Sequence, residues 1–210
     1  MTTSRRHQRS LRPLLAGGDR RSIARSNRAR ALVLARPERV AEVAALAKDA
    51  DWLVSLRAMD LLEKLVHTHP DWIEPHRGLF IGPLADSDQW EMHLQIVRAL
   101  PWLTWSRGER HRAVAILRRD LEHPQTFVKA WALDSLARLA EYDATLMPVV
   151  RRQLTAFARS GSHALAARAR NIRRRLPAGI VKGEVCAIRR QLPGDRFTAW
   201  DSSTARSGTP

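Results

Sequence analysis

The stretch TFVKAWALDSLARL, residues 126–139, places apolar or small side chains at Val128, Ala132, Ser135, Leu136 and Leu139, which is the spacing of one face of an α-helix. The same spacing recurs three more times. Val54, Ala58, Leu61, Leu62 and Leu65 carry it, as do Met92, Ile96, Ala99, Leu100 and Leu103, and a reduced form reads Leu165, Ala169, Ile172 and Leu176. The closing leucines stand 38, 36 and 37 residues apart. A stripe returning every ~37 residues, with room for two helices per unit, marks a repeat in which each unit buries its apolar face only against its neighbours. The fold class expected is all-α: a right-handed α-solenoid of about four helical pairs.

The segments between the repeated helices supply the outer member of each pair. They are residues 37–48, 70–84, about 106–121 and 142–157, with Pro37, Pro75 and Pro148 near segment starts, where proline costs least. The turns KDAD, ADSD, EHPQ and RSGS hold the Asp, Ser, Pro and Gly that end one helix and cap the next. Three domains are expected: a flexible basic arm over 1–18, the solenoid over 19–176 with residues 19–34 as a partial cap, and a mostly disordered tail over 177–210. The tail strings Pro, Gly, Ser and Thr around isolated apolar residues and leaves room for a short helix near 184–192.

The two clearest inner helices, DWLVSLRAMDLLEKL and HPQTFVKAWALDSLARL, resemble the second helix of HEAT repeats. Val128, Lys129, Ala132, Ser135, Leu136 and Leu139 match the pattern V-[RK]-x2-A-x2-[AS]-L-x2-L. The resemblance spans roughly residues 37–176 and implies an armadillo-type superhelix whose second helices line a concave face. HEAT-like proteins are mostly scaffolds, adaptors and transport factors, so the resemblance alone does not assign an activity.

The concave positions follow from the repeat. Opposite the buried stripe lie Leu56, Asp60 and Glu63, then Leu94, Arg98 and Pro101, then Ala130, Asp134 and Ala137, then Ala167, Asn171 and Arg174. Asp60, Arg98 and Asp134 alternate in sign on successive helices, as a charge ladder would. Leu56, Leu94, Ala130 and Ala167 form a small or apolar row that suits a partner helix or peptide, or is covered by the neighbouring inner helix. The first functional expectation is therefore a non-catalytic binding or scaffold module gripping another protein through Leu56, Asp60, Leu94, Arg98, Ala130 and Asp134.

Charge supplies the alternative. The chain carries a formal +15, but residues 31–150 are slightly acidic. Nine arginines against one aspartate occupy residues 1–30, and eight arginines with no acid occupy residues 151–176. Such ends attract nucleic acid without sequence preference, chiefly through Arg168, Arg170, Arg173, Arg174 and Arg175, aided by Arg5, Arg6 and Arg9. The plainer role for this cluster is a solvated end cap, as terminal repeats require.

An enzymatic reading exists as well. AWALDSLARL superficially resembles the motif of HEAT-like alkylpurine DNA glycosylases, with Trp131 and Asp134 as the matching residues, but the spacing here is three residues where that family has four. Asp134 also has a plain role as the i, i+4 partner of Arg138. Trp52 and Trp90 occupy equivalent packing positions, and the Trp102/Trp105 pair beside Arg107, Arg110 and Arg112 either stacks on bases or caps the core. His67 and His69 lack further ligands at zinc spacing, and Cys186 is single, so no metal site, cofactor or disulfide is expected. No window approaches a membrane span and no apolar signal core follows the N-terminal arginines, which gives a cytoplasmic chain without a membrane partner as the expectation.

Overall fold

The computed structural model describes residues 10–176, and every regular element among them is helical. In chain order the α-helices are α1 (Arg12–Leu15), α2 (Ser26–Ala35), α3 (Val40–Leu46), α4 (Trp52–Val66), α5 (Pro70–Ile73), α6 (Trp90–Ala99), α7 (Arg107–Asp120), α8 (Thr126–Ala140), α9 (Met147–Arg159) and α10 (His163–Arg175). Polar side chains cap the starts of three of them. Asp51 accepts from the Leu53 amide at 3.0 Å, Ser162 accepts from the Leu165 amide, and Ser106 forms a reciprocal capping box with Glu109. Each satisfies amide donors that a helix leaves orphaned at its first turn.

Helix α3 packs on α4, α7 on α8 and α9 on α10, while α4, α6, α8 and α10 touch one another in succession. Every position of the recurring apolar stripe is buried, from Val54 through Leu176. The core is a single apolar cluster to which these helices contribute.

The second outer segment departs from the expected helix over 70–84. Only α5 is α-helical; it continues as 3-10 turns over Glu74–Phe80 and Pro83–Asp86. Pro75 and Pro83 offer no amide to a continuous ladder, so the backbone tightens into short pieces. Ile73, Phe80 and Ala85 still reach the core with no exposed surface.

Pro101 shapes the inner layer too. Helix α6 stops at Ala99 and turns through the 3-10 segment Leu100–Trp102. The carbonyl of Val97 would accept from residue 101, which is proline, and the hydroxyl of buried Ser135 donates to it instead at 2.5 Å. Trp105 closes the same turn: its side chain is 3% exposed and its Nε1 donates to the Leu100 carbonyl at 2.9 Å.

The expected boundary at residue 19 falls inside packed structure. Leu11 and Leu15 have no exposed surface, and Ala29 and Val33 of α2 join the same core. Buried Arg57 of α4 organises this segment by donating to the carbonyls of Leu15, Gly17, Asp19 and Ser22 at 2.6–3.0 Å. Gly17 and Gly18, at φ +78° and +73°, give the turn its left-handed backbone, and a Cβ at Gly18 would meet Ser22 Oγ at 2.9 Å. The rest of the predicted arm, residues 1–9, lies outside the described residues. So do the predicted tail over 177–210, its helix near 184–192 and Cys186.

Candidate functional site

The face shared by α4, α6, α8 and α10 carries the predicted site residues, and the structure rearranges their roles. Leu56 and Ala130 are covered, at 9% and 6% exposure, whereas Leu94 and Ala167 are half-buried. The apolar row is thus largely packing between successive inner helices.

The charge ladder runs through different partners from those the repeat suggested. Asp60 takes Lys64, one turn along its own helix, at 2.6 Å. Arg98 reaches back from α6 to Glu63, not Asp60, at 2.9 Å. Glu63 has no exposed surface, and its Oε1 also meets His67 Nε2 at 2.6 Å. Its Oε2 and the Nε of Arg98 are buried without a hydrogen-bond partner, so this charge pair keeps unused polar capacity.

Asp134 is the second anchor. Only 3% exposed, it gathers three guanidinium groups: Arg138 at 3.1 Å along α8, and Arg175 at 3.0 Å and Arg168 at 3.6 Å from α10. Arg175 also meets Glu141 at 3.4 Å. Between these two anchors the face is aromatic. The indole of Trp131 has the guanidinium of Arg98 5.0 Å from its centroid and that of Arg168 at 4.0 Å. Trp102 has Arg138 at 5.0 Å and His67 edge-on at 4.9 Å.

The result is a polar face of alternating arginine and tryptophan, its cations held in place by buried carboxylates underneath. The core stripe alone does not point to it, yet the repeat carries a signal: Lys64, Trp102, Arg138 and Arg175 stand 38, 36 and 37 residues apart, at the same offsets as the core leucines.

The remaining predicted arginines divide by environment. Arg173 donates to the Leu154 carbonyl at 3.2 Å. Arg170 and Arg174 are exposed and, like Arg152 and Arg159 of α9, have no ion-pair partner among the described residues. Trp52 and Trp90 separate: Trp52 is 41% exposed with Arg20 above its ring, and Trp90 is half-buried. His69 stacks on Trp72 at 3.9 Å. Among the described residues no grouping of His, Cys, Asp or Glu is disposed to hold a metal, and no helix is long and apolar enough to cross a membrane.

No protein-family model matches the chain, and no curated protein is significantly similar to it.

Proposed function

We propose that the chain is a HEAT-like, right-handed α-solenoid of about four helical pairs that binds nucleic acid without catalysis, gripping the phosphodiester backbone at its α8–α10 end. The recurrence of the stripe at 38, 36 and 37 residues and the succession α4, α6, α8, α10 support the solenoid. The observation that carries the binding is the imbalance of the last pair. Residues 151–176 hold eight arginines and no acid; Asp134 engages Arg168 and Arg175, and Arg152, Arg159, Arg170 and Arg174 are exposed with no ion-pair partner among the described residues. Guanidinium groups bind phosphate oxygens in a bidentate fork, and neutralising phosphates releases condensed counterions.

Two other readings have less support. Of the apolar side chains that would grip a protein partner, Leu56 and Ala130 are already covered, which leaves Leu94, half-buried, as the one within reach. A glycosylase centred on Asp134 would need a carboxylate that three guanidiniums already occupy.

Fluorescence anisotropy with a labelled oligonucleotide tests the proposal. Affinity should fall steeply between about 50 and 200 mM salt, and replacing Arg152, Arg159, Arg170 and Arg174 by Gln should lower the salt slope by roughly 0.7–0.9 for each phosphate no longer neutralised. Binding that is absent at low salt, indifferent to salt, or intact in the fourfold variant overturns it.

A further inference from the structure

We infer that the α6–α8 part of this face is a stacking platform for unpaired bases, so that the ligand is single-stranded nucleic acid. The inference rests on the phosphodiester reading above and adds strandedness to it.

Three aromatic side chains belong to this part of the face. Trp131 and Phe127 lie one turn apart on the same face of α8, and Phe127 is 61% exposed, the most exposed large apolar side chain among the described residues. Trp102, at 36% exposure, sits on the turn that follows the neighbouring helix α6. Nothing in the core accounts for a phenylalanine in solvent one turn from a tryptophan whose ring is turned to two cations.

Those cations explain how the platform works. Arg98 and Arg168 flank the Trp131 ring, and Arg138 covers Trp102. A guanidinium over an indole is held by the ring's electron-rich face and shields it from water. An arriving strand offers a phosphate to the outer N–H groups of these guanidiniums, which stay seated on Glu63 and Asp134, and offers the exposed rings of Phe127 and Trp102 a flat base to stack on. Backbone and base contacts then form together across adjacent helices, the combination of basic groove and aromatic faces that single-strand binding uses. A duplex offers only the first of these contacts, because its bases are stacked inward and its grooves present edges rather than faces. An acidic peptide supplies carboxylates but no flat rings to stack on the aromatic side chains.

The test uses the full chain with three probes of equal charge: a fluorescein-labelled oligothymidylate, a blunt duplex and polyglutamate. The oligothymidylate should bind at least about tenfold tighter than the duplex or polyglutamate and should quench tryptophan emission, with the quench reduced in Trp102→Phe. Phe127→Ser, which alters a side chain outside the core, and Trp102→Ala should each weaken the single strand by roughly fivefold or more while changing duplex binding less than about twofold. Trp131→Phe keeps a ring for stacking and should retain most of the affinity, which separates stacking from loss of fold.

Equal affinity for strand and duplex with silent Phe127→Ser and Trp102→Ala variants overturns this inference and leaves phosphodiester binding standing. Polyglutamate competing as well as oligothymidylate overturns it too. Failure to bind any nucleic acid removes both readings.

Discussion

The hydroxyl of Ser135 on α8 donates at 2.5 Å to the carbonyl of Val97 on α6, the acceptor that Pro101 deprives of its intrahelical partner. A kink in one helix is thereby answered by a side chain from the next. Ser135→Ala should cost about 1–3 kcal/mol, the penalty of leaving a buried carbonyl unpaired. In a double-mutant cycle with Pro101→Ala the two changes should couple, because alanine at 101 restores an amide donor to Val97. Strict additivity in urea denaturation would contradict this pairing.

Arg57 closes the N-terminal segment onto α4 through four backbone carbonyls. Arg57→Leu keeps the apolar stem and removes every donor, and should cost on the order of 2–4 kcal/mol. Limited proteolysis should then cut within residues 16–25 before any cleavage in α4–α10. Arg57→Lys should recover only part of the loss, since one ammonium cannot reach four acceptors that a planar guanidinium spans.

Stability should depend on pH through His93 and Asp120. His93 Nδ1 faces Asp120 Oδ2 at 3.0 Å and Arg119 at 3.2 Å, and its Nε2 faces the Ser87 carbonyl at 2.7 Å; the carboxylate and the carbonyl both favour the imidazolium. The hydrogen bond to Asp120 raises His93 above its ordinary value of 6.5, with burial opposing. Burial of Asp120 disfavours its charge but is outweighed by hydrogen bonds from His93 and Arg119, leaving the carboxyl below its ordinary 3.8. A raised His93 contributes stability that is fully present below its unfolded value and lost as pH rises through the folded one. A lowered Asp120 contributes stability present above its unfolded value and lost on acidification through the folded one. Urea midpoints should therefore fall as pH rises above about 6.5, and His93→Gln should flatten that limb. A midpoint that rises from about pH 6 to about pH 9 in the wild type would refute the assignment.

Leu56 and Leu94 should behave differently although the repeat makes them equivalent. Leu56→Asp places an unpaired carboxylate in a covered site and should cost about 3 kcal/mol or more. Leu94→Asp, half-buried and one turn from Arg98, should cost about 1 kcal/mol. Thermal melts of the two variants compare them directly.

Periodicity alone located the inner helices and their buried stripe, because a 3.6-residue pattern of Val, Ala, Leu and Ile has one low-energy use in water: a helix packed on that face. Turn chemistry marked the starts of α4 and α10, since Asp51 and Ser162 cap by local contacts that neighbouring residues alone specify. The concentration of arginine in residues 151–176 is likewise a property of the sequence by itself.

Only the tertiary structure decided which charges meet. Choosing Glu63 over Asp60 for Arg98, or Asp134 for Arg168 and Arg175, depends on the rotation and offset of one helix against the next, which interlocking side chains set and no single helix encodes. The same holds for Leu11 and Leu15, two apolar residues in an arginine-rich stretch with no repeat to flag them. They are core because Arg57, 42 residues along the chain from Leu15, supplies the donors that let their loop fold onto α4.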